Sequence, residues 1–241
     1  MITRLVAASL LFASSTILAQ TLDDRPWLAT DATIVIDPYQ DNPVDMAKVA
    51  TDPKVKAVIH RAGVGLRADT RYIERAAEAK RHGLRYGLYL MGVPGDPIAQ
   101  ADALIAAGAR VNAKFLALDI ENLDPKRSMS IPDAVRFLDH VRAKTGRSAA
   151  LYVNFSVYKH ISQRYPTSAT LKAAPLWIAR FRDRHGMNDA TLWPTYTLWQ
   201  FSSELNCTSS GPCPYRVPGT RSDIDVNVLR GGEARLKALF D

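Results

Sequence analysis

The sequence of 241 residues predicts an α/β fold, an eight-stranded barrel of the TIM type. Three observations lead to this prediction. Eight short apolar or β-branched runs recur along the chain, and helical patterns fill the gaps between the first five. After about residue 165 the helical signal fades while the strand signals continue. Eight mostly parallel strands joined by crossover helices close into a barrel, which needs about 250 residues.

The predicted strands are nearly continuous in apolar residues, as is typical of parallel strands covered on both faces. They are "ATIVIDPYQ" (32–40), "KAVIHRAG" (56–63), "RYGLYLMG" (85–92), "KFLALDIEN" (114–122), "SAALYVNF" (148–155), "PLWIARF" (175–181), "TLWQFSS" (197–203) and "DIDVNVL" (223–229). Apolar residues at helical spacing predict helices over 43–50, 70–83, 96–108, 130–146 and 155–163. The layout is five strand–helix units followed by three strands.

An open doubly wound sheet is the alternative arrangement of these elements. Such a sheet would be favoured by a glycine-rich phosphate loop after the first strand. The first strand continues as "IDPYQDNP", which has no glycine. The barrel is therefore the preferred interpretation.

The first 19 residues have the pattern of a secretory signal peptide. Arg4 precedes an apolar run from Leu5 to Phe12, and small and polar residues lead to Ala19. A retained membrane anchor is the alternative, but the run is short and is followed by Ser and Thr. We therefore expect cleavage after Ala19, a single catalytic domain over 20–241, and export to the periplasm or the extracellular space without stable membrane insertion.

The net charge of +7 favours a polyanionic partner such as an anionic cell-wall polymer. The basic residues are scattered, so no nucleic-acid groove is indicated. The two cysteines, Cys207 and Cys213, enclose "TSSGP", and in an exported protein this spacing favours a disulfide that closes a short loop. A metal site is the alternative, but the sequence offers no further Cys or His ligand nearby.

Four acids lie in or at the ends of predicted strands. They are Asp37 in the first strand, Asp119 and Glu121 in the fourth, and Asp225 in the eighth. Catalytic groups of α/β barrels lie where the strands end at their carboxyl side, so these acids are expected to converge. Residues two apart share a face of a strand, which places Asp119 and Glu121 together. Two close carboxylates in a poorly solvated mouth keep one proton between them, as glycosidic bond cleavage requires.

The alternative for a short D-x-E motif is a strand end that pairs with Lys or Arg. The barrel position and the further acids favour a catalytic site. Aromatic rings stack on sugars, and amides bind hydroxyl or acetamido groups. Candidate substrate contacts of these types are Tyr39, Tyr89, Tyr152, Asn154, Trp177 and Gln200, with core packing as the alternative for each, favoured for Trp177 and also for Trp199.

The sequence lacks the motifs of several other enzyme classes. The sequence has no G-x-S-x-G elbow, no H-E-x-x-H and no P-loop, and its five histidines are dispersed. We expect neither a cofactor nor a metal.

The ordered set of motifs resembles glycoside hydrolase family 25, the Chalaropsis-type lysozymes or N-acetylmuramidases. "IVIDPYQ" is similar to the family's opening strand, "VIHRAGVG" to its second, and "LALDIEN" to its D-x-E strand. "LYVNFSVY", "PLWIARF", "LWQFSS" and "DIDVNVL" resemble the remaining strands in order.

This resemblance implies a modified (β/α)5β3 barrel. It also implies cleavage of the β-1,4 bond between N-acetylmuramic acid and N-acetylglucosamine in the glycan strands of peptidoglycan. Glu121 would be the general acid, Asp119 would stabilise the acetamido group or the developing charge, and Asp37 and Asp225 would flank them. A catalytically impaired peptidoglycan-binding barrel and a chitin-type hydrolase remain alternatives. Nothing in the sequence requires an oligomer, so a monomer is expected.

Overall fold

The computed structural model describes residues 24–187 and 192–241. The predicted signal peptide, residues 1–19, lies outside the described residues. None of the described helices is long and apolar enough to span a membrane.

Eight strands form the closed barrel that the sequence predicts. Each strand pairs in parallel with the next one around the barrel from β1 to β8, and β9 closes the ring by pairing antiparallel with both β8 and β1. A two-residue strand, β3, forms a hairpin on β2 outside the ring. The strands are β1 (Thr33–Ile36), β2 (Val55–Val64), β3 (Arg67–Ala68), β4 (Arg85–Met91), β5 (Leu116–Ile120), β6 (Ala150–Asn154), β7 (Leu176–Ala179), β8 (Leu198–Ser202) and β9 (Val226–Leu229).

Helices follow the first five barrel strands, and none lies between β7, β8 and β9 in the described residues, which confirms the (β/α)5β3 layout. Asp96 and Ser130 cap their helices through side-chain oxygens, and a proline follows within the first turn of each. The helices are α1 (Met46–Val49), α2 (Tyr72–Arg81), α3 (Pro97–Val111), α4 (Ile131–Thr145), α5 (Phe155–Arg164), α6 (Ala169–Ala173) and α7 (Gly232–Phe240), with a 3-10 turn at Pro26–Leu28.

The helix α7 was not predicted, and it closes the bottom of the barrel. Leu236 and Phe240 enter the same apolar cluster as Phe115 and Trp177, and the Phe240 ring stacks on Phe115 with centroids 4.9 Å apart. Arg147, before β6, donates to the backbone oxygens of the last turn of α7. Since only Leu236 and Phe240 of this helix are buried, the apolar pattern of α7 in the sequence is weak.

Alternation along β5 separates the barrel interior from the outer core. Ala117, like Phe115 before the strand, faces the interior, whereas Leu118 and Ile120 pack against the helices. Asp119 points to the same interior face as Ala117 and lies two residues nearer the mouth of the barrel. The register of this strand therefore delivers its acids to the upper end of the barrel.

Candidate active site

A cleft of about 470 Å³ opens at the mouth of the barrel. It lies where the parallel strands end at their carboxyl side, the position at which α/β barrels assemble their sites. Glu121, Tyr152 and Asp225 contribute to it. The complete lining is Met91, Gly92, Glu121, Asn122, Arg127, Ser128, Tyr152, Asn154, Ala179, Phe181, Gln200, Ser203, Glu204, Leu205 and Asp225.

The structure brings the four predicted acids together at this mouth. Asp37 follows β1, Asp119 lies in β5, and Glu121 follows β5. The prediction that Asp225 lies within a strand is wrong, because it precedes β9. Since β9 runs antiparallel, its amino end meets the carboxyl ends of its neighbours, and the Asp225 backbone oxygen accepts from Asp37 N at 3.2 Å.

Asp119 and Glu121 differ in environment although they are two residues apart. Asp119 is 3% exposed, and burial followed by the Glu121 charge raises its pKa, with Arg61 opposing the shift. Glu121 opens onto the cleft, and its pKa is raised first by desolvation and also by Glu204, with the Tyr152 hydroxyl opposing the rise. A carboxyl group with a raised pKa holds its proton at a pH where an ordinary one has lost it.

One oxygen of Asp119 has no hydrogen-bond partner. Among residues 24–187 and 192–241, nothing donates to Asp119 Oδ1, which is fully enclosed by protein. An unsatisfied buried acceptor is costly, and a catalytic role is one of the reasons for which native structures retain one. Asp119 therefore has a buried acceptor without a donor, two residues from a cleft-lining carboxyl group whose pKa is raised.

Asp37 lies in the floor of the site and is held by two side-chain amides. Gln200 Nε2 donates to Asp37 Oδ2 at 3.0 Å, and Asn227 Nδ2 donates to Asp37 Oδ1. Burial, followed by the Asp225 charge, raises the pKa of Asp37, and both amides oppose the rise. The pKa of Asp225 is also raised, by burial and then by Glu204 and Glu121.

The amides predicted to bind substrate already have partners within the protein. Gln200 also accepts from the Tyr152 hydroxyl at 2.8 Å. Asn154 donates to the Glu121 backbone oxygen at 2.7 Å and caps α5 by accepting from Val157 N. Asn154 thus fixes the backbone that carries Glu121.

The predicted aromatic residues lie at different depths. Tyr152 lines the cleft, whereas Trp177 is 1% exposed below it and contacts both Tyr152 and Tyr89 edge to face. Tyr39 is half-buried at the rim, where the Arg61 guanidinium lies 4.7 Å from its ring centroid. Trp199 packs in the outer core, the position that the sequence predicted for it.

Three residues of the site were missed in the sequence. Asn227 lies two residues after Asp225 in "DIDVNVL", so strand alternation could have placed it on the interior face. Glu204 and Arg127 lie in loops that line the cleft, where no periodic pattern identifies them. Glu204 adds a fifth acid to the mouth.

The predicted disulfide between Cys207 and Cys213 is present. Glu204 and Leu205 lie just before this loop, and Cys207 N donates to Ser203 O at 2.9 Å. The disulfide therefore anchors the segment that forms one wall of the cleft.

Comparison with known proteins gives a consistent result. The sequence model of glycosyl hydrolases family 25 matches residues 36–210, which include three of the four predicted acids. A search of curated proteins finds no significant match.

Solved structures with a similar fold include three bacterial and phage proteins. The spore cortex lytic enzyme SleM of Clostridium perfringens is 22% identical, with a TM-score of 0.71 over 88% of this chain and 70% of that one. The lysozyme of Streptomyces coelicolor is 22% identical, with a TM-score of 0.68 over 88% and 98%. The catalytic domain of endolysin ply40, from bacteriophage P40 of Listeria monocytogenes, is 25% identical, with a TM-score of 0.65 over 88% and 98%.

Proposed function

The chain belongs to glycosyl hydrolases family 25, and from that membership we propose that it is an exported lysozyme. The proposed reaction is hydrolysis of the β-1,4 bond between N-acetylmuramic acid and N-acetylglucosamine in peptidoglycan. The observation that carries the proposal is the pairing of Glu121, a carboxyl group that lines the cleft and has a raised pKa, with the neighbouring buried Asp119, whose Oδ1 has no hydrogen-bond partner among the described residues.

Glu121 is the general acid of the proposed mechanism. Its proton passes to the glycosidic oxygen as the bond from that oxygen to C1 of the muramic acid ring breaks. The raised pKa keeps this proton available above the usual range of a glutamic acid. The resulting carboxylate then takes a proton from the water that completes hydrolysis.

Asp119 stabilises the acetamido group of the same sugar. Its carboxylate accepts the acetamido N–H, which makes the acetamido oxygen a better nucleophile towards C1 as the leaving group departs. Asp119 lies in β5 and Glu121 follows directly after it, two residues on, so they do not face each other across the sugar as a two-carboxylate pair does. This placement favours the substrate-assisted route, in which the product keeps its β configuration.

Asp37 and Asp225 flank this pair, and in their ionised forms they favour the positive charge that develops on the sugar ring. Tyr152, Tyr39 and Tyr89 are the proposed aromatic contacts to the glycan. Gln200, Asn154 and Trp177 act indirectly in this proposal. Each forms a hydrogen bond to another residue of the site and so fixes its position.

Export rests on the pattern of residues 1–19 and on the disulfide, which persists in oxidising compartments. The net positive charge favours retention on an anionic wall. Mass spectrometry of the protein recovered from the periplasm or the medium should give a chain that begins at Gln20. An intact Met1 on the mature protein would remove this part of the proposal.

The test is release of reducing ends from purified peptidoglycan by the wild type and by Glu121→Gln. We expect the variant to lose about 10²–10⁴-fold in rate, because amide nitrogen cannot protonate the leaving oxygen. Glu233→Gln, on α7 at the opposite end of the barrel, is the matched control and should retain wild-type activity. Proton NMR of fresh wild-type products should show the β anomer.

Equal activity of wild type and Glu121→Gln would refute the assignment of the acid. Faster cleavage of chitin oligomers than of peptidoglycan would favour a chitin-type hydrolase. Binding of peptidoglycan without cleavage would identify a binding barrel.

A further inference from the structure

Among the described residues that line the cleft, only Arg127 is basic. The other charged members of the lining are Glu121, Glu204 and Asp225. A cleft with this excess of acids repels an anionic substrate. A peptidoglycan strand is such a substrate, because each muramic acid carries a lactyl carboxyl group or the peptide attached to it. Arg127 is therefore the lining residue that can favour an anionic sugar over a neutral one.

The Arg127 side chain is exposed and uncommitted. It forms no ion pair, side-chain hydrogen bond or ring contact within the part of the chain that the structure describes. Two other arginines near the mouth are committed. Arg61 Nε donates to Asp69 Oδ2 at 3.0 Å, and the Arg180 guanidinium lies 3.6 Å from the centroid of the Phe155 ring. Arg127 thus keeps its N–H donors for a ligand.

The loop that carries Arg127, residues 122–130, is held in place by its backbone. Met129 N donates to Gly92 O at 3.2 Å, on the segment that follows β4. Gly92 N in turn donates to Asp119 O at 2.9 Å, which connects this loop to the strand of the acids. A loop that is already ordered loses little conformational entropy when it binds a ligand, so more of the contact energy remains as affinity.

The loop of Arg127 and the loop of Glu204 form opposite walls of the cleft. Gly92 follows β4 and Glu204 follows β8, and these two strands lie four apart in the ring of eight. A sugar bound in the cleft therefore has a basic wall on one side and an acidic wall on the other. A substituent that carries a carboxylate is attracted to the first wall and repelled by the second, which fixes the direction in which it points.

We propose that Arg127 determines specificity by binding a carboxylate of the muramyl side group, either the free carboxylate of the lactyl ether or a carboxylate of the attached peptide. A guanidinium binds a carboxylate through two parallel N–H donors, which gives orientation as well as affinity. N-acetylglucosamine lacks this substituent, so the same contact distinguishes muramyl glycans from chitin. The inference rests on the proposed function for its substrate class.

The experiment measures the binding of soluble glycans by titration calorimetry in a Glu121→Gln background, in which the ligand is not cleaved. The ligands are a muramyl glycan freed of peptide, the same glycan with its peptides, and a chitin oligomer of equal length. Arg127→Gln should weaken the binding of a muramyl glycan by about five- to tenfold, because a charge-assisted pair at an exposed position is lost. It should change the binding of chitin by less than about twofold.

Lys126→Gln is the matched control. It removes the same charge from the adjacent residue, which is exposed but does not line the cleft, and should change each affinity by less than about twofold. Arg127→Lys keeps the charge without the two parallel donors, so it should recover part of the affinity. Added salt should weaken the binding of the muramyl glycan by the parent protein more than by Arg127→Gln.

Kinetics of the active protein give a second readout. Arg127 contacts a substituent and not the reacting atoms, so the contact is equally strong in the bound substrate and in the transition state. Arg127→Gln should therefore raise KM for peptidoglycan and leave kcat nearly unchanged. A fall in kcat at constant KM would contradict the proposed role.

Weaker binding of the peptide-free glycan by Arg127→Gln assigns the lactyl carboxylate, and weaker binding confined to the peptide-bearing glycan assigns a carboxylate of the peptide. Unchanged binding of both glycans would overturn the inference, as would an equal loss on chitin or in Lys126→Gln. Calorimetry needs no turnover, so a wild type that binds muramyl glycan without cleaving it refutes the proposed function and leaves this result standing. An active wild type whose binding does not depend on Arg127 refutes only this inference.

Discussion

At the mouth of the barrel, acids delivered by three strands are buried beside one another, whereas at the bottom Phe115, Leu236 and Phe240 fill the interior. The acids at the mouth have raised pKa values, and one buried oxygen lacks a partner. At the bottom, Arg85 pairs with Asp241 and Glu233, and Arg147 holds the last turn of α7. The two ends therefore have opposite effects on stability.

The difference shows that the free-energy cost of the active site lies at the mouth of the barrel. Burying like charges near one another destabilises the fold at neutral pH, and a substrate that supplies a donor and a positive charge relieves it. The apolar closure by α7 offsets that cost at a distance, where it does not restrict the cleft. Substitutions at one end of the barrel at a time separate the two contributions to stability.

The largest expected effect on stability is at the bottom. Phe240→Ala removes the ring stacked on Phe115 and should lower the free energy of unfolding by about 3–4 kcal/mol. Urea unfolding at pH 7 measures it. Ile73→Ala, at a helix position that is 46% exposed, is the control and should change stability by less than about 0.5 kcal/mol. Equal effects of the two substitutions would show that α7 contributes little.

A smaller effect of opposite sign is expected at the mouth. Asp119→Asn should raise the free energy of unfolding at pH 7 by about 1–2 kcal/mol while activity falls. The folded pKa of Asp119 is raised above the unfolded value, so its ionisation costs stability as pH rises through the folded pKa. The gain should therefore vanish below about pH 3.9, the pKa of an unfolded aspartate. A loss of stability at pH 7 would contradict this account.

The smallest effect is expected from Arg85→Met, which removes the ion pairs with Asp241 and Glu233 at the bottom. The pKa of Asp241 is lowered by Arg85, so this pair stabilises the fold above the unfolded pKa and loses its effect as pH falls. We expect a lower Tm at pH 7, by less than for Phe240→Ala, and no difference in strong acid. Calorimetry at both pH values measures it. A Tm difference that persists in acid would assign the effect to the packing of the Arg85 stem.

The barrel could be predicted because its strands are continuous apolar runs with helices between the early ones. The direction of β9 could not be predicted, because an apolar run does not indicate whether a strand pairs parallel or antiparallel with its neighbours. The helix α7 begins at two glycines with positive φ and buries few residues, so its pattern was too short to detect.

The meeting of the four acids at one mouth could be predicted, since the strand ends of a barrel open on one face. Their partners were not predictable, because hydrogen bonds such as Gln200 to Asp37 join residues 163 apart in the chain. Glu204 lies in the loop that leads to the disulfide, where no periodic pattern identifies it. Composition can suggest that an amide is near the site, but only the fold determines whether it faces substrate or protein.

Trp177 gives the molecule a native optical reporter. The chain has four tryptophans, and Trp27, Trp193 and Trp199 pack in the outer core, away from the interior of the barrel. Trp177 alone shares that interior with the acids, and its indole N–H is bonded to the amide that holds Asp37. Its emission wavelength is therefore sensitive to the electric field under the cleft, so occupancy of the site can be followed by fluorescence without an attached dye.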